Sequence, residues 1–89
     1  MKVIAAAVKL YPLNSEYPQI FSAERHADVF ELIKDYNIKY DKKTAIQGFL
    51  TDDNHFVNRY EAKKIAVEAN QLIVPIEETY AELYSEDVW

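Results

Sequence analysis

Hydrophobic and polar positions change their period several times along this chain, and each change marks an element. Residues 2–11 are rich in Val, Ile and Ala and stop at Pro12, which predicts a strand closed by a loop through Leu13, Asn14 and Ser15. Gln19, Ile20, Phe21 and Ser22 read as a returning strand, so the chain opens with a hairpin-like pair. From His26 the spacing shifts: Ala27, Phe30, Ile33 and Tyr36 recur every three residues, widened by Val29 and Leu32, which predicts an amphipathic helix of about ten residues ending at Asn37. A polar, Lys-rich connection over residues 39–44 leads to a strand over residues 46–50. Asp52, Asp53 and Asn54 then supply turn chemistry, and His55, Phe56 and Val57 return.

Asn58 followed by Glu61 has the spacing of a capping box, with Val57 placed to staple onto Ala62. Behind it Ala62, Ile65, Ala66, Ala69 and Leu72 form one apolar face. Asn70 is the residue best suited to a left-handed C-cap where no Gly is present. Residues 75–89 place Ile76, Tyr80, Leu83 and Tyr84 at helical spacing, with Glu77 and Glu78 at the favourable end, and read as a helical or loosely ordered tail. No linker, repeat or low-complexity tract interrupts the chain. The expected architecture is a single α+β domain over residues 1–89, a small antiparallel sheet with two to three helices packed beside it.

Composition narrows what such a domain does. Its 89 residues include no Cys and one Gly, which excludes a disulfide framework, a thiolate metal centre, a Walker loop and a GxGxxG turn. A domain this small buries only about 60–65% of the surface its unfolded chain exposes, so self-association into a dimer or larger homo-oligomer is expected. The apolar stretch at residues 3–8 is too short for an export signal and none is long enough to span a membrane. A cytoplasmic protein is therefore expected. The net charge of −5 is uneven, with seven Lys/Arg against six Asp/Glu in residues 1–45 and three against nine in residues 46–89. That balance opposes binding to long nucleic acid but not a small pocket holding one or two arginines.

No nucleophile sits beside a base, no carboxylate pair is spaced for acid–base work, and the Asp52-Asp53-Asn54 run lacks the Gly and the closing Glu of a calcium loop. His26 and His55 have no ligand partner at HxxxH or ExxH spacing, so neither a metal site nor catalysis is expected, and both read as surface or half-buried polar residues. Arg25-His26 lies where a strand feeds a helix, a place where free amides and a guanidinium together suit a small anion; the bland reading is an ion pair with Glu24 or Asp28. Phe49 and Phe56 either stack a base or fill the core. Arg59 at the first helical position opposes the helix dipole, which an anionic ligand or an acidic neighbour would explain.

Taken together, Gln47-Gly48-Phe49-Leu50-Thr51, a short turn, Phe56-Val57-Asn58-Arg59-Tyr60-Glu61-Ala62, the upstream Arg25-His26 and the closing Leu83-Tyr84-Ser85-Glu86-Asp87-Val88-Trp89 form a combination that is similar to a signature of small phage and prophage proteins. It resembles the phage anti-defence proteins that sequester cyclic ADP-ribose signals of the Thoeris system. The resemblance implies a sponge that binds the signalling nucleotide without cleaving it, on an antiparallel sheet with helices beside it, assembled as dimers or larger rings. It implies that Arg25 contacts phosphate, that Phe49 stacks on the base, and that Asn58 serves as the polar residue where the hairpin meets the helix. The dipole argument adds Arg59. Asn54 and Asn70 stand where relatives tend to have Gly, and Ala23-Glu24 replaces a run that usually contains Gly.

The expected function is therefore non-enzymatic sequestration of a small cyclic nucleotide immune signal, suppressing host anti-phage defence in the bacterial cytoplasm. No cofactor is called for. Arg25, His26, Phe49, Phe56, Asn58 and Arg59 are the expected ligand-binding residues. The alternative is an acidic phage protein that inhibits a host protein by direct contact or nucleic-acid mimicry, through Glu77, Glu78, Glu82, Glu86 and Asp87.

Overall fold

The apolar run Val3–Leu10 forms strand β1, and its burial on both sides at Ala6, Ala7 and Val8 marks it as an inner strand. The computed structural model, which describes residues 1–89, adds β2 (Gln19–Ala23), helix α1 (His26–Asp35), β3 (Ile46–Thr51), β4 (Phe56–Asn58) and helix α2 (Arg59–Glu68). The strands form one antiparallel sheet in the order β2-β1-β3-β4. This is one α+β domain, and no helix in it is long and apolar enough to cross a membrane.

Register decides which side chains meet. Ala6 pairs with Ala23 and Phe49, and Val8 with Phe21 and Gln47, so these share a face. That face is covered by Val29 and Ile33 of α1 and by Ala62 and Ala66 of α2, which join Val3, Leu10, Phe49 and Leu83 in one core. The opposite face carries Ala5, Ala7, Lys9 and Leu50, flanked by the exposed Ile20 and Ile46. Phe56 lies on that outer side against Gly48: a Cβ on Gly48 would stand 2.7 Å from Phe56 Cζ and would collide with the carbonyl of Val57. The lone glycine is thus required by its neighbours in the sheet.

Both helices end alike. At α1 the amide of Asn37 donates to the carbonyl of Lys34 and that of Ile38 to the carbonyl of Ile33. At α2 the same pair runs from Asn70 to Val67 and from Gln71 to Ala66, and both asparagines are left-handed, with φ of 55° and 57°. These are Schellman turns with Asn in place of Gly. The turn at Asn70 stops α2 short, so Ala69 caps the helix and Leu72 lies beyond the face expected to contain it.

The tail departs most from expectation. Residues 75–89 form no α-helix; they hold two short 3-10 turns, Ile76–Glu78 and Ser85–Asp87. Anchors to the rest of the domain override the helical spacing. Lys63 Nζ donates to Thr79 Oγ1 (2.5 Å) and to the carbonyl of Tyr80, Leu83 N to the carbonyl of Arg59 (3.0 Å), and Ile73 N to the carbonyl of Asp87 (2.8 Å). Leu83 is fully buried, and Ser85 and Val88 are buried with it.

Candidate functional site

The six residues expected to bind ligand fall into three places. Arg25, His26 and Phe49 meet under the C-terminal tryptophan at the start of α1. Phe56 lies on the outer face of the sheet, and Asn58 and Arg59 open α2.

The first group is an internal one. Phe49 has no solvent exposure, and its ring meets the edges of His26 (centroids 5.0 Å apart) and Trp89 (6.2 Å). A base cannot stack on it here, because protein rings and core side chains already surround it. His26, expected to be at the surface or half-buried, is buried; its Nε2 donates to the carbonyl of Gly48 at 2.7 Å, which closes the strand against the helix. Burial holds its pKa below the usual histidine range, against the opposing effect of the Gly48 carbonyl and with a further lowering by the nearby Arg59 charge. Arg25 forms no ion pair with Glu24 or Asp28. Its Nη2 donates to the main-chain oxygen of Trp89 at 2.5 Å, and Trp89 Nε1 in turn donates to the carbonyl of Glu24. The tail is therefore fastened across the start of α1, where an external anion was expected.

The second place is open. Asn58 Oδ1 accepts from Glu61 N at 2.8 Å, and Glu61 Oε1 accepts from Asn58 N at 3.2 Å, the reciprocal box anticipated from spacing. Only the oxygen of the Asn58 side chain is used, which leaves its amide hydrogens for another acceptor. Arg59 has no carboxylate partner. Its Nη2 donates to Gln47 Oε1 at 2.6 Å, its guanidinium lies over the ring of Tyr84 at 4.7 Å, and its buried Nε has no acceptor. A groove of about 390 Å3 runs past Gln47, Asn58, Arg59 and Tyr60, with Glu82 at its side accepting from the Tyr60 hydroxyl at 3.3 Å. The guanidinium is thus held in one orientation by a neutral amide and a ring face, with its charge unspent.

The profile of the family described as Phage T4 y16D protein matches residues 2–89. The chain belongs to that phage protein family. No curated protein and no solved structure matches it.

Sequence reasoning missed Gln47 and Tyr84 as the partners of Arg59, and Trp89 as the partner of Arg25. Each pair is separated by a dozen residues or more, and only the sheet register and the path of the tail bring them together. No group of three or more His, Cys, Asp or Glu side chains is close enough to hold a metal ion. His55 and Asp53 do meet (Nδ1 to Oδ2, 3.2 Å), and Thr51 donates to the same carboxylate, so this trio braces the β3–β4 turn.

Proposed function

We propose that this phage protein binds a small cyclic nucleotide immune signal of the cyclic ADP-ribose type in the groove beside Arg59 and sequesters it without cleaving it. In this reading the protein acts as a homo-oligomer in the host cytoplasm and leaves the defence effector unstimulated. The observation that carries the proposal is the arginine itself: a guanidinium fixed by Gln47 and Tyr84, beside a groove, in no ion pair, with Glu82 of the same groove engaged by the Tyr60 hydroxyl instead. Arg59 would hold phosphate, and the free amide hydrogens of Asn58 would donate to a ribose hydroxyl or a phosphate oxygen. Gln47 and Tyr60 line the same groove. Sequestration needs this kind of preorganised recognition and no reactive group. The resemblance to nucleotide sponges and the membership of a phage family favour it.

The test is a calorimetric and thermal-shift titration against cyclic ADP-ribose isomers, cyclic dinucleotides and cyclic trinucleotides. A ligand present at 100 times its dissociation constant stabilises the fold by about 2.7 kcal/mol, a rise of at least several degrees for a domain of this size. The bound compound should be recovered intact after heating. No shift across the panel removes the proposal.

A second reading rests on the tail. Glu77, Glu78 and Glu86 are exposed, and the single ion pair of the molecule joins His55 to Asp53, so none of the three is neutralised. An acidic surface of this kind suits contact with a basic host protein. Reversing these three charges should then abolish inhibition of the host, whereas a sponge would be indifferent to it.

A further inference from the structure

The largest recess in the molecule lies elsewhere, at the C-terminal end of α1. It encloses about 620 Å3, within the roughly 300–1,000 Å3 typical of small-molecule sites. The Schellman turn at Asn37 reverses the chain there, and the returning segment is pinned. Leu13 N donates to the carbonyl of Lys39 at 2.8 Å, and Pro12 bridges to Tyr40. The recess is therefore walled by a tied segment on one side and by the helix on the other. The half-buried rings of Phe30 and Tyr40 line it, and Ile33, 2% exposed, belongs to its apolar part.

Lys34, Lys39 and Lys42 line the same recess. All three are exposed, and together they gather positive charge at one recess in a chain whose net charge is −5. No carboxylate offsets them, since the one ion pair of the molecule is His55 with Asp53. Asp35 follows Lys34 without forming an ion pair with it, and Asp41, beside Lys42, is engaged with the amide of Lys43, where it caps the 3-10 turn Lys42–Thr44. Lys34 suits the negative end of α1, but Lys39 and Lys42 lie beyond that helix, and Lys42 opens the 3-10 turn, where a cation gains nothing. An anion in the recess would lie within reach of three flexible ammonium groups.

We infer that this cavity binds a nucleoside diphosphate, with the base against Phe30 and Tyr40 and the phosphates among Lys34, Lys39 and Lys42. Inorganic pyrophosphate alone would leave the apolar half of the lining uncovered, and a nucleoside alone would make no use of the three ammonium groups. Gln47, whose Oε1 is taken by Arg59, keeps its amide hydrogens for the base or sugar. The inference draws on different cations from the reading of the Arg59 groove, although Ala45 and Gln47 stand in the wall between the two recesses and line both.

The test is calorimetry with ADP, adenosine and inorganic pyrophosphate on the intact protein, on Lys39→Gln/Lys42→Gln and on Arg59→Gln, with thermal melts to check each fold. Lys39 and Lys42 are exposed, so their replacement should leave stability nearly unchanged. ADP should bind saturably and at least about tenfold more tightly than either fragment. The double lysine variant should weaken ADP about tenfold to a hundredfold, and Arg59→Gln should leave it within about twofold. The inference is overturned by any of three results: no saturable ADP binding up to millimolar concentration, pyrophosphate binding as tightly as ADP, or ADP affinity that falls with Arg59→Gln and survives the lysine changes.

Discussion

Two helices of ten residues each begin beside an arginine, and the two arginines have opposite surroundings. At α1, Arg25 occupies the N-cap position without capping through its side chain; it bonds the main-chain oxygen of Trp89, and the tail closes over the helix start. At α2, a reciprocal Asn58–Glu61 box satisfies the helix end locally, and the adjoining Arg59 leans on Gln47 and Tyr84 beside an open groove. An arginine next to a helix start is thus no indicator of a ligand by itself. What separates the two is coverage. Where local capping is complete the arginine is left over, and where capping is absent it is drawn into holding the fold together.

The sharpest break of this comparison is Phe49→Ala. With the ring wholly buried against His26 and Trp89, the substitution should cost about 3–5 kcal/mol in urea denaturation and loosen the tail. Nucleotide affinity should fall only as far as the folded fraction falls. A variant that melts like the parent but no longer binds would return the site to the start of α1.

Exchanging the two arginines' roles is the next test. Arg25→Gln removes a charge-assisted bond to Trp89 and should cost about 1–3 kcal/mol of stability without changing affinity for the sponge ligand. Arg59→Gln also gives up bonds to Gln47 and Tyr84 and should cost about 1–2 kcal/mol, but unlike Arg25→Gln it should lower that affinity about tenfold or more in protein that remains folded. Equal effects of both substitutions on affinity would erase the distinction.

The pH dependence of stability probes the closed side. Burial lowers the pKa of His26 in the folded state, so below about 6.5 the unfolded chain takes up a proton that the native fold resists. Stability is therefore complete above that pH and falls as pH drops through the unfolded value, by no more than about 1.4 kcal/mol per pH unit for one proton. His26→Gln should flatten this part of the profile measured by urea melts at pH 5 to 7.5. An unchanged slope would mean that His26 is not the titrating group.

Local chemistry was legible along the chain and long-range partnership was not. The strands, both helices and the capping box follow from spacing, and the asparagines follow from the scarcity of glycine: Asn14, Asn37, Asn54 and Asn70 all take positive φ, from 55° to 66°, and Asn58 caps. The tail defied its own periodicity because Leu83, Ser85 and Val88 gain burial that a free helix would not give them. His26 and Phe49 could not be placed from their neighbours in sequence. Their burial depends on Gly48 facing His26 across 22 residues and on Trp89 arriving from the far end. Residues 39–44 read as a polar connection, since the recess that Lys39 and Lys42 line exists only where the segment after α1 folds back beside that helix and Gln47 of β3.

The finest distinction falls on Asn58, whose oxygen serves the helix and whose amide hydrogens face no protein acceptor. Asn58→Ala removes the cap and should cost about 1 kcal/mol, which says nothing about a ligand. Asn58→Asp separates the two roles. The carboxylate caps as well as the amide does, so stability should stay within about 0.5 kcal/mol of the parent, and its charge beside the start of α2 suits the helix dipole. The same change replaces two donors by an anion next to Arg59, so affinity for the sponge ligand should drop about tenfold while the melt holds. Retained affinity in Asn58→Asp would confine Asn58 to capping and leave Arg59 to meet the ligand without it.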